Sequence, residues 1–167
     1  MTISRRPADW RFVLSHPAHF FAFGFGAGLV RPGPGTAGTL VAFPLFWVLD
    51  LWMNATGYAL LLPALFVAGA WACGRTGEAL GVHDHGGLVI DEIVAFLAVL
   101  VLIPRDPAWQ TAGFVLFRFF DIVKPQPIGF FDRTVKGGLG VMFDDLLAAA
   151  FTLGLLGLAG MLVAGAG

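Results

Sequence analysis

Residues 117–145 have the sequence FRFFDIVKPQPIGFFDRTVKGGLGVMFDD, a charged stretch that begins and ends in apolar residues. Its charged side chains are Arg118, Asp121, Lys124, Asp132, Arg133, Lys136, Asp144 and Asp145. The remainder of the chain is much poorer in charge. A carboxylate at the centre of a bilayer costs about 2.5–3.5 kcal/mol, so such groups are kept near water, a counter-ion or a metal. This stretch therefore predicts a functional site.

The composition indicates a membrane protein with one domain, residues 1–167. Hydrophobic residues make up 57% of the chain, charged residues only 13%, and the mean hydropathy is +0.82. A soluble domain has about twice this charge. The net charge of −1 and the lack of a basic patch among aromatic residues predict no nucleic-acid partner. The single cysteine, Cys73, excludes an intrachain disulfide and a thiolate metal cluster.

Five apolar runs predict an all-α, polytopic membrane bundle with about five spans. The runs are residues 40–53, 57–73, 88–103, 111–123 and 146–167. About 20 apolar residues cross a bilayer, so the shorter middle runs would tilt or thin it locally.

The segments between the apolar runs are predicted as loops, including residues 33–39 and 74–87. The basic N-terminus is followed by a glycine-rich apolar segment, residues 20–30, with no small-residue cleavage site. We therefore expect an interfacial or re-entrant segment there rather than a cleaved signal peptide.

Five spans bring the polar segments to one face of the membrane. Nine of the ten Lys and Arg residues then lie on that side, and only Arg105 lies opposite. Among the acidic residues, only Asp50 and Asp106 lie far from this face. Because positive residues accumulate on the cytoplasmic side, the site is predicted at the cytoplasmic interface of a multi-pass protein.

The glycine-rich segment GPGTAGT, residues 33–39, is typical of a phosphate-binding turn before a helix. Its candidate phosphate-binding residues are Gly35, Thr36, Gly38 and Thr39. The nucleotide-binding P-loop requires a lysine where this chain has Thr39, so a nucleoside triphosphatase is excluded. The alternative interpretation is a helix cap formed by Thr36 or Thr39.

The acidic residues form an oxygen-rich set with no cysteine and few histidines. The set comprises Asp91, Glu92, Asp121, Asp144 and Asp145. Such donors select a hard cation, Mg²⁺ or Mn²⁺. We expect all five to be candidate metal ligands, with Asp91, Asp121 and Asp145 as the catalytic carboxylates.

Asp91, Glu92 and Asp144 also have simpler interpretations. Asp91 and Glu92 begin an apolar helix, where acidic residues also complement the helix dipole. Adjacent helical residues point about 100° apart, so one is expected to face the site and the other to support it. Asp144 is alternatively the N-cap of the last helix, which Asp145 is not.

Cationic side chains accompany the acidic set. Arg118 and Asp121 are three residues apart and share a helix face. Arg118 is a candidate phosphate-binding residue beside the candidate metal ligand Asp121; alternatively, the two simply form an intrahelical ion pair. Lys124 precedes Pro125, which moves it out of helical geometry, and lysine is a point-charge phosphate binder.

The remaining polar residues are predicted to lie at the edge of the site. The run His83, Asp84 and His85 supplies a general acid or second-sphere contacts, the latter from Asp84 and His85, or it is simply a solvated loop. Asp132 and Arg133 are predicted as surface charges at the membrane interface.

Four motifs resemble those of the phosphatidylglycerophosphatase A family. They are PGTAGTL (34–40), HDHGGLVIDEIV (83–94), FRFFDIVKPQPI (117–128) and GGLGVMFDD (137–145), and the resemblance extends over about residues 24–149. Two positions depart from the family pattern, which has glycine where this chain has Ala95 and Ala149. Both residues are small, so the departures concern close helix packing more than chemistry.

The resemblance implies a Mg²⁺-dependent phosphatase of the bacterial inner membrane. Its lipid substrate would be phosphatidylglycerophosphate, which it would convert to phosphatidylglycerol and inorganic phosphate in phospholipid biosynthesis. The residues leave open attack by water or through a phosphorylated aspartate. They indicate no oligomeric state.

Other functions are weighed against this one. Another lipid phosphomonoesterase would use the same chemistry. A lipid phosphotransferase acting on a CDP-activated lipid requires a DG-x2-AR core, which this chain lacks. A small cation carrier would explain intramembrane carboxylates but not the glycine segment or Lys124.

Overall fold

The computed structural model describes residues 8–82 and 84–165. Within these ranges all regular structure is helical and no strand occurs, which confirms the predicted all-α class. The helices are α1 (Trp10–Leu14), α2 (Pro17–Ala22), a 3₁₀-helix (Gly24–Leu29), α3 (Pro34–Asp50), α4 (Ala55–Leu80), α5 (Ile90–Leu102), α6 (Pro107–Val123), α7 (Ile128–Thr134) and α8 (Gly137–Gly165).

Local sequence accounts for several helix ends. Asn54 caps α4 by accepting a hydrogen bond from the amide of Gly57 at 2.9 Å, and Asp106 caps α6 through the amide of Ala108 at 2.8 Å. Pro34 and Pro107 occupy the first helical position, where the missing N–H has no intrahelical partner to lose. Helix α4 ends at Gly81, whose φ of 72° is the left-handed conformation that glycine adopts without steric cost.

Each of the five apolar runs forms a helix, but three predicted boundaries are wrong. The glycine segment is already helical from Pro34, so it is not a loop before the helix. Helix α4 continues to Leu80 through residues predicted as a loop, and α8 begins at Gly137 rather than at residue 146.

Packing between α4 and α8 explains two of these differences. A Cβ added to Gly138 would overlap the carbonyl oxygen of Ala70, and one added to Gly74 would contact the backbone of Gly138 at 3.7 Å. The two helices therefore approach through their glycines, and this tertiary contact outweighs the low helix propensity of glycine.

Helix α5 lies at the centre of the bundle. It packs against α3, α4, α6 and α8, and α8 in turn packs against α4, α6 and α7. Phe96 is fully buried, with ring centroids 5.2 Å from Phe43, 5.9 Å from Phe114 and 5.4 Å from Phe117. Such aromatic pairs contribute about 0.5–1.5 kcal/mol each. They hold α3 and α6 against the central helix.

Two helices in the described part of the chain are long and apolar enough to cross a membrane. They are Ala55–Leu80 and Gly137–Gly165, with mean hydropathies of 1.6 and 2.3. Helices α3, α5 and α6 have 17, 13 and 17 residues. Many large apolar side chains are exposed on the outer surface, including Trp47, Trp52, Leu60, Val67, Trp71, Leu158, Met161 and Leu162. This surface is compatible with contact to lipid.

The two ends of the bundle differ in charge. At one end, Arg105 forms an ion pair with Asp50 at 2.6 Å and lies over the ring of Phe46 at 5.9 Å. At the other end, the N-terminal parts of α3, α5 and α8 meet the C-terminal part of α6. This second end contains the site.

Candidate active site

An acidic cavity of about 270 Å³ lies between α5, α6, α7 and α8. The five carboxylates predicted from the sequence all line this cavity, namely Asp91, Glu92, Asp121, Asp144 and Asp145. Its other charged lining residues are Asp84, Lys124, Asp132 and Lys136. Residues that are distant in sequence thus meet in one site.

The closest group of carboxylates joins α5 to α8. One oxygen each from Asp91, Glu92 and Asp145 lies within 4.8 Å of the others. Asp91 and Asp145 are only 8% and 2% exposed. Both residues of the Asp91–Glu92 pair contribute to this cluster, so the expectation that only one of them faces the site is wrong. The pair lies in the first turn of α5, from which both side chains reach α8.

The donor set of this cluster fits a cation. Asp91 Oδ1, Glu92 Oε2 and Asp145 Oδ2 are buried and have no hydrogen-bond partner among the described residues. A buried carboxylate without a partner carries a large desolvation cost, which a bound cation would remove. Because all the donor atoms are oxygens, the cluster suits a hard divalent ion.

Arg118 connects three helices on one side of the cluster. Its Nη1 donates to Asp121, lies 3.8 Å from Glu92 Oε1 and donates to Thr39 Oγ1 at 3.4 Å. The intrahelical pair with Asp121 considered from the sequence is present, but it is part of this larger network. Arg118 therefore positions carboxylates from α5 and α6.

No residue of the glycine segment lines the acidic cavity, but Gly35 and Thr39 contact Glu92 and Arg118 beside it. Thr39 Oγ1 donates to the carbonyl of Gly35 at 2.8 Å and is fully buried. A Cβ on Gly35 would overlap Glu92 Oε1 and lie 3.1 Å from Arg118 Nη1, so only glycine allows this approach. The amides of Gly35 and Thr36 lie in the first turn, where they have no intrahelical acceptor.

The other predicted members of the glycine segment have different surroundings. Gly38 packs against Val89, and Thr36 lies half-buried beside Gly33. The N-cap is Gly33 with no side-chain hydrogen bond, so neither Thr36 nor Thr39 is the cap. Asp144 lies two turns inside α8, so its interpretation as an N-cap is also wrong.

Lys124 ends α6 in the left-handed conformation, with φ 45° and ψ 57°. This agrees with the prediction that Pro125 moves it out of helical geometry. Its ammonium group donates to Asp144 and, at 2.6 Å, to Asp132. Burial disfavours the charged lysine, but the two hydrogen bonds outweigh burial and raise its pKa above the ordinary value. Lys124 is thus a permanent cation beside the cavity.

Asp132 lines the acidic cavity, although it was not predicted from the sequence as a metal ligand or catalytic residue. Burial favours its neutral form, but the hydrogen bond and charge of Lys124 dominate and lower the pKa of Asp132. Asp132 is partly exposed, in agreement with the predicted surface charge. The two partners are separated by the turn at Pro125 and Pro127, so no helical spacing could have paired them.

Of the described residues of the run 83–85, Asp84 and His85, only Asp84 lines the acidic cavity, and it is exposed. His85 instead accepts a hydrogen bond from the amide of Gly87 at 3.1 Å and lines a separate cavity beside Arg31 and Gly33. His83 lies outside the described residues.

Comparison with known proteins identifies relatives over most of the chain. The model of the family described as Phosphatidylglycerophosphatase A matches residues 20–160. The chain is 42% identical over 160 residues to Phosphatidylglycerophosphatase A of Escherichia coli, covering 93% of this chain and 92% of that protein. It is also 42% identical over 144 residues to Phosphatidylglycerophosphatase A of Haemophilus influenzae, covering 86% and 88%.

A third relative has a different name. A Bacteroides thetaiotaomicron protein, provisionally named a phosphatidylinositol-3-phosphatase, is 36% identical over 143 residues, covering 81% of this chain and 89% of that protein. No solved structure matches the chain.

Proposed function

The chain belongs to the phosphatidylglycerophosphatase A family, and from this we propose that its acidic cavity hydrolyses phosphatidylglycerophosphate to phosphatidylglycerol and inorganic phosphate. The reaction breaks the bond between the terminal phosphorus and the glycerol oxygen. Water supplies one oxygen to the released phosphate, and a proton passes to the glycerol oxygen. The main structural support for placing the reaction in this cavity is the buried cluster of Asp91, Glu92 and Asp145.

We propose that this cluster holds Mg²⁺, with Asp121 and Asp144 completing the acidic set. The fit rests on buried, unpartnered carboxylate oxygens that converge from two helices. A bound Mg²⁺ supplies polarisation of the phosphoryl oxygens and neutralises charge as phosphate is transferred. Mg²⁺ prefers a few carboxylate ligands with remaining positions for water and substrate, which agrees with this donor set.

The chain's own residues have three roles in the proposed reaction. Arg118 holds Glu92 and Asp121 in place, and its guanidinium adds positive charge near the cavity. Lys124 does the same for Asp144 and offers an ammonium group to phosphate oxygens. The amides of Gly35 and Thr36 are proposed as further hydrogen-bond donors to phosphate oxygens. Thr39 stabilises this turn through its hydrogen bond to the carbonyl of Gly35, and Gly38 allows it to pack against Val89.

The carboxylates Asp91, Asp121 and Asp145 are the proposed catalytic residues. One of them either takes a proton from the attacking water or attacks phosphorus itself to form an acyl phosphate that water then hydrolyses. Acid quenching during turnover of ³²P-labelled substrate distinguishes the two routes. Trapped label on the protein identifies the covalent route, and label found only in free phosphate identifies direct attack by water.

We further propose that α3, α4, α5, α6 and α8 all cross the bacterial inner membrane, with the cavity facing the cytoplasm. In support, the cavity end carries Arg118, Lys124 and Lys136, whereas Arg105 lies at the opposite end, beside Asp50. Positive residues favour the cytoplasmic side. Shorter helices such as α5, with 13 residues, are shielded from lipid by their neighbours.

Phosphate release from phosphatidylglycerophosphate by purified protein in detergent tests the function. Release with Mg²⁺ that EDTA abolishes is expected. No release from folded protein would refute the activity, and release that survives EDTA would refute the metal site.

Phosphatidylinositol 3-phosphate is the comparison substrate, because one relative is named for it. Its faster hydrolysis would reassign the headgroup while retaining the phosphatase chemistry.

A further inference from the structure

A second cavity of about 520 Å³ lies beside the acidic cavity, between the end of α4 and the beginning of α8. We call it the glycine groove. Its lining residues are Gly74, Gly77, Glu78, Gly81, Val82, Lys136, Gly137 and Gly138. Most of them have no side chain, so the groove is open where two closely packed helices would otherwise fill the space.

Lys136 and Gly137 line both the glycine groove and the acidic cavity. The two spaces therefore share a wall at the start of α8. A ligand with two anionic groups one glycerol unit apart could place one in the cavity and the other at this junction.

Lys136 differs from the other cations of the site. Arg118 and Lys124 are each neutralised by carboxylates of the site. Lys136 is exposed and donates only to the carbonyl oxygen of Asp132, at 3.2 Å, and it forms no ion pair with any residue in 8–82 or 84–165. Its charge is available to a ligand.

We propose that Lys136 binds the inner phosphodiester of the lipid substrate while the terminal phosphate occupies the acidic cavity. This inference rests on the proposed function, because phosphatidylglycerophosphate carries a phosphodiester and a phosphomonoester on either side of one glycerol. Lysine is a point-charge binder of phosphate, and its flexible stem can follow a lipid headgroup.

The charge of Glu78 disfavours one side of the glycine groove for the proposed phosphodiester. Glu78 also lines the groove and would repel an anion placed near it. The junction at Lys136 is therefore favoured over the α4 side of the groove. Lys136 would thus select a lipid with two phosphates over one with a single phosphate.

The substitution Lys136→Gln tests this assignment, with Arg133→Gln as the matched control. Arg133 is an exposed cation that lines neither cavity. We expect kcat/KM for phosphatidylglycerophosphate to fall about tenfold or more in Lys136→Gln, because a hydrogen bond to a charged group is lost. Arg133→Gln should stay near wild type, and Lys136→Arg should recover most of the activity.

Inhibition by inorganic phosphate separates the two phosphate positions. If Lys136 contacts only the inner phosphodiester, the inhibition constant for phosphate should remain within about twofold in Lys136→Gln. An equal weakening of phosphate inhibition would move Lys136 to the terminal phosphate and overturn the proposal, as would an unchanged kcat/KM. Inactive wild-type protein would instead refute the proposed function itself.

Discussion

The α-carbon of Gly35 lies directly against the carboxylate of Glu92, so that a Cβ on residue 35 would overlap Glu92 Oε1. This contact brings the first turn of α3 next to the first turn of α5. The same added Cβ would lie 3.1 Å from Arg118 Nη1. The position of Glu92 in the cluster thus depends on the absence of a side chain at residue 35.

Gly35→Ala is expected to displace Glu92 and Arg118 and to lower kcat/KM for phosphatidylglycerophosphate by about 100-fold, a loss typical of misplacing catalytic groups by about 1 Å. Steady-state phosphate release measures the effect. Gly154→Ala is the control, because an added Cβ there meets nothing within 4 Å. A Gly35→Ala enzyme with normal activity would show that Glu92 can move without consequence.

Asp145→Asn is expected to abolish hydrolysis while the protein still inserts and folds. The substitution keeps the size of the side chain but removes the charge of a cluster member that is 2% exposed. Phosphate release measures the loss of hydrolysis, and size-exclusion elution in detergent shows whether the protein is folded. The matched substitution Asp106→Asn, at the opposite end, preserves a helix cap and should leave activity intact. Turnover by Asp145→Asn at the wild-type rate would remove Asp145 from the site.

Mg²⁺ is expected to raise the melting temperature of the detergent-solubilised protein, and EDTA to lower it. Binding to the folded state alone stabilises by about 2.7 kcal/mol at a ligand concentration 100 times Kd. Differential scanning fluorimetry measures the shift. In Asp145→Asn the shift should shrink or disappear, since a cluster oxygen is lost. A shift of the same size in both proteins would place the metal elsewhere.

The ion pair of Lys124 with Asp132 predicts a pH-dependent contribution to stability. The pKa of Asp132 is lowered, so its contribution is present above the ordinary aspartate pKa of about 4 and is lost as pH falls through the lower folded-state pKa. The raised pKa of Lys124 extends the pH range over which the lysine is charged, and its contribution is lost only as pH rises through that higher value.

Asp132→Asn should therefore lower the free energy of unfolding by about 0.5–1 kcal/mol at neutral pH, since both partners are partly exposed. The difference from wild type should vanish in strongly acidic solution. Denaturant unfolding at several pH values measures it. A constant difference across the acidic range would assign the effect to packing rather than to the charge.

The sequence was sufficient to predict the five long helices, though not all of their boundaries, and the five carboxylates that line the acidic cavity. The five apolar runs are separated by polar segments, and each forms a helix. Asp91, Asp121 and Asp145 are conspicuous because each lies beside apolar residues that would not tolerate an unpaired charge. Local composition carries this information without reference to the rest of the chain.

The features that were mispredicted or missed depend on contacts between distant residues. Glycines at the start of α8 remain helical because Gly138 packs on the backbone near Ala70 of α4. Asp132 belongs to the site because the turn after α6 directs it to Lys124. Neither contact has a periodic signal in the sequence, since it depends on the path of the chain between two helices.

The left-handed backbone of Lys124 has a consequence for attempts to engineer this protein. At φ 45° a non-glycine residue has a conformational free energy about 1–2 kcal/mol higher than in the right-handed conformation, and glycine would relieve that strain. A search for thermostable variants would accordingly favour glycine here, yet it would remove the cation that pairs with Asp144. Residue 124 is thus a position where backbone stability and the ion pair with Asp144 are in opposition, and this chain retains the ion pair.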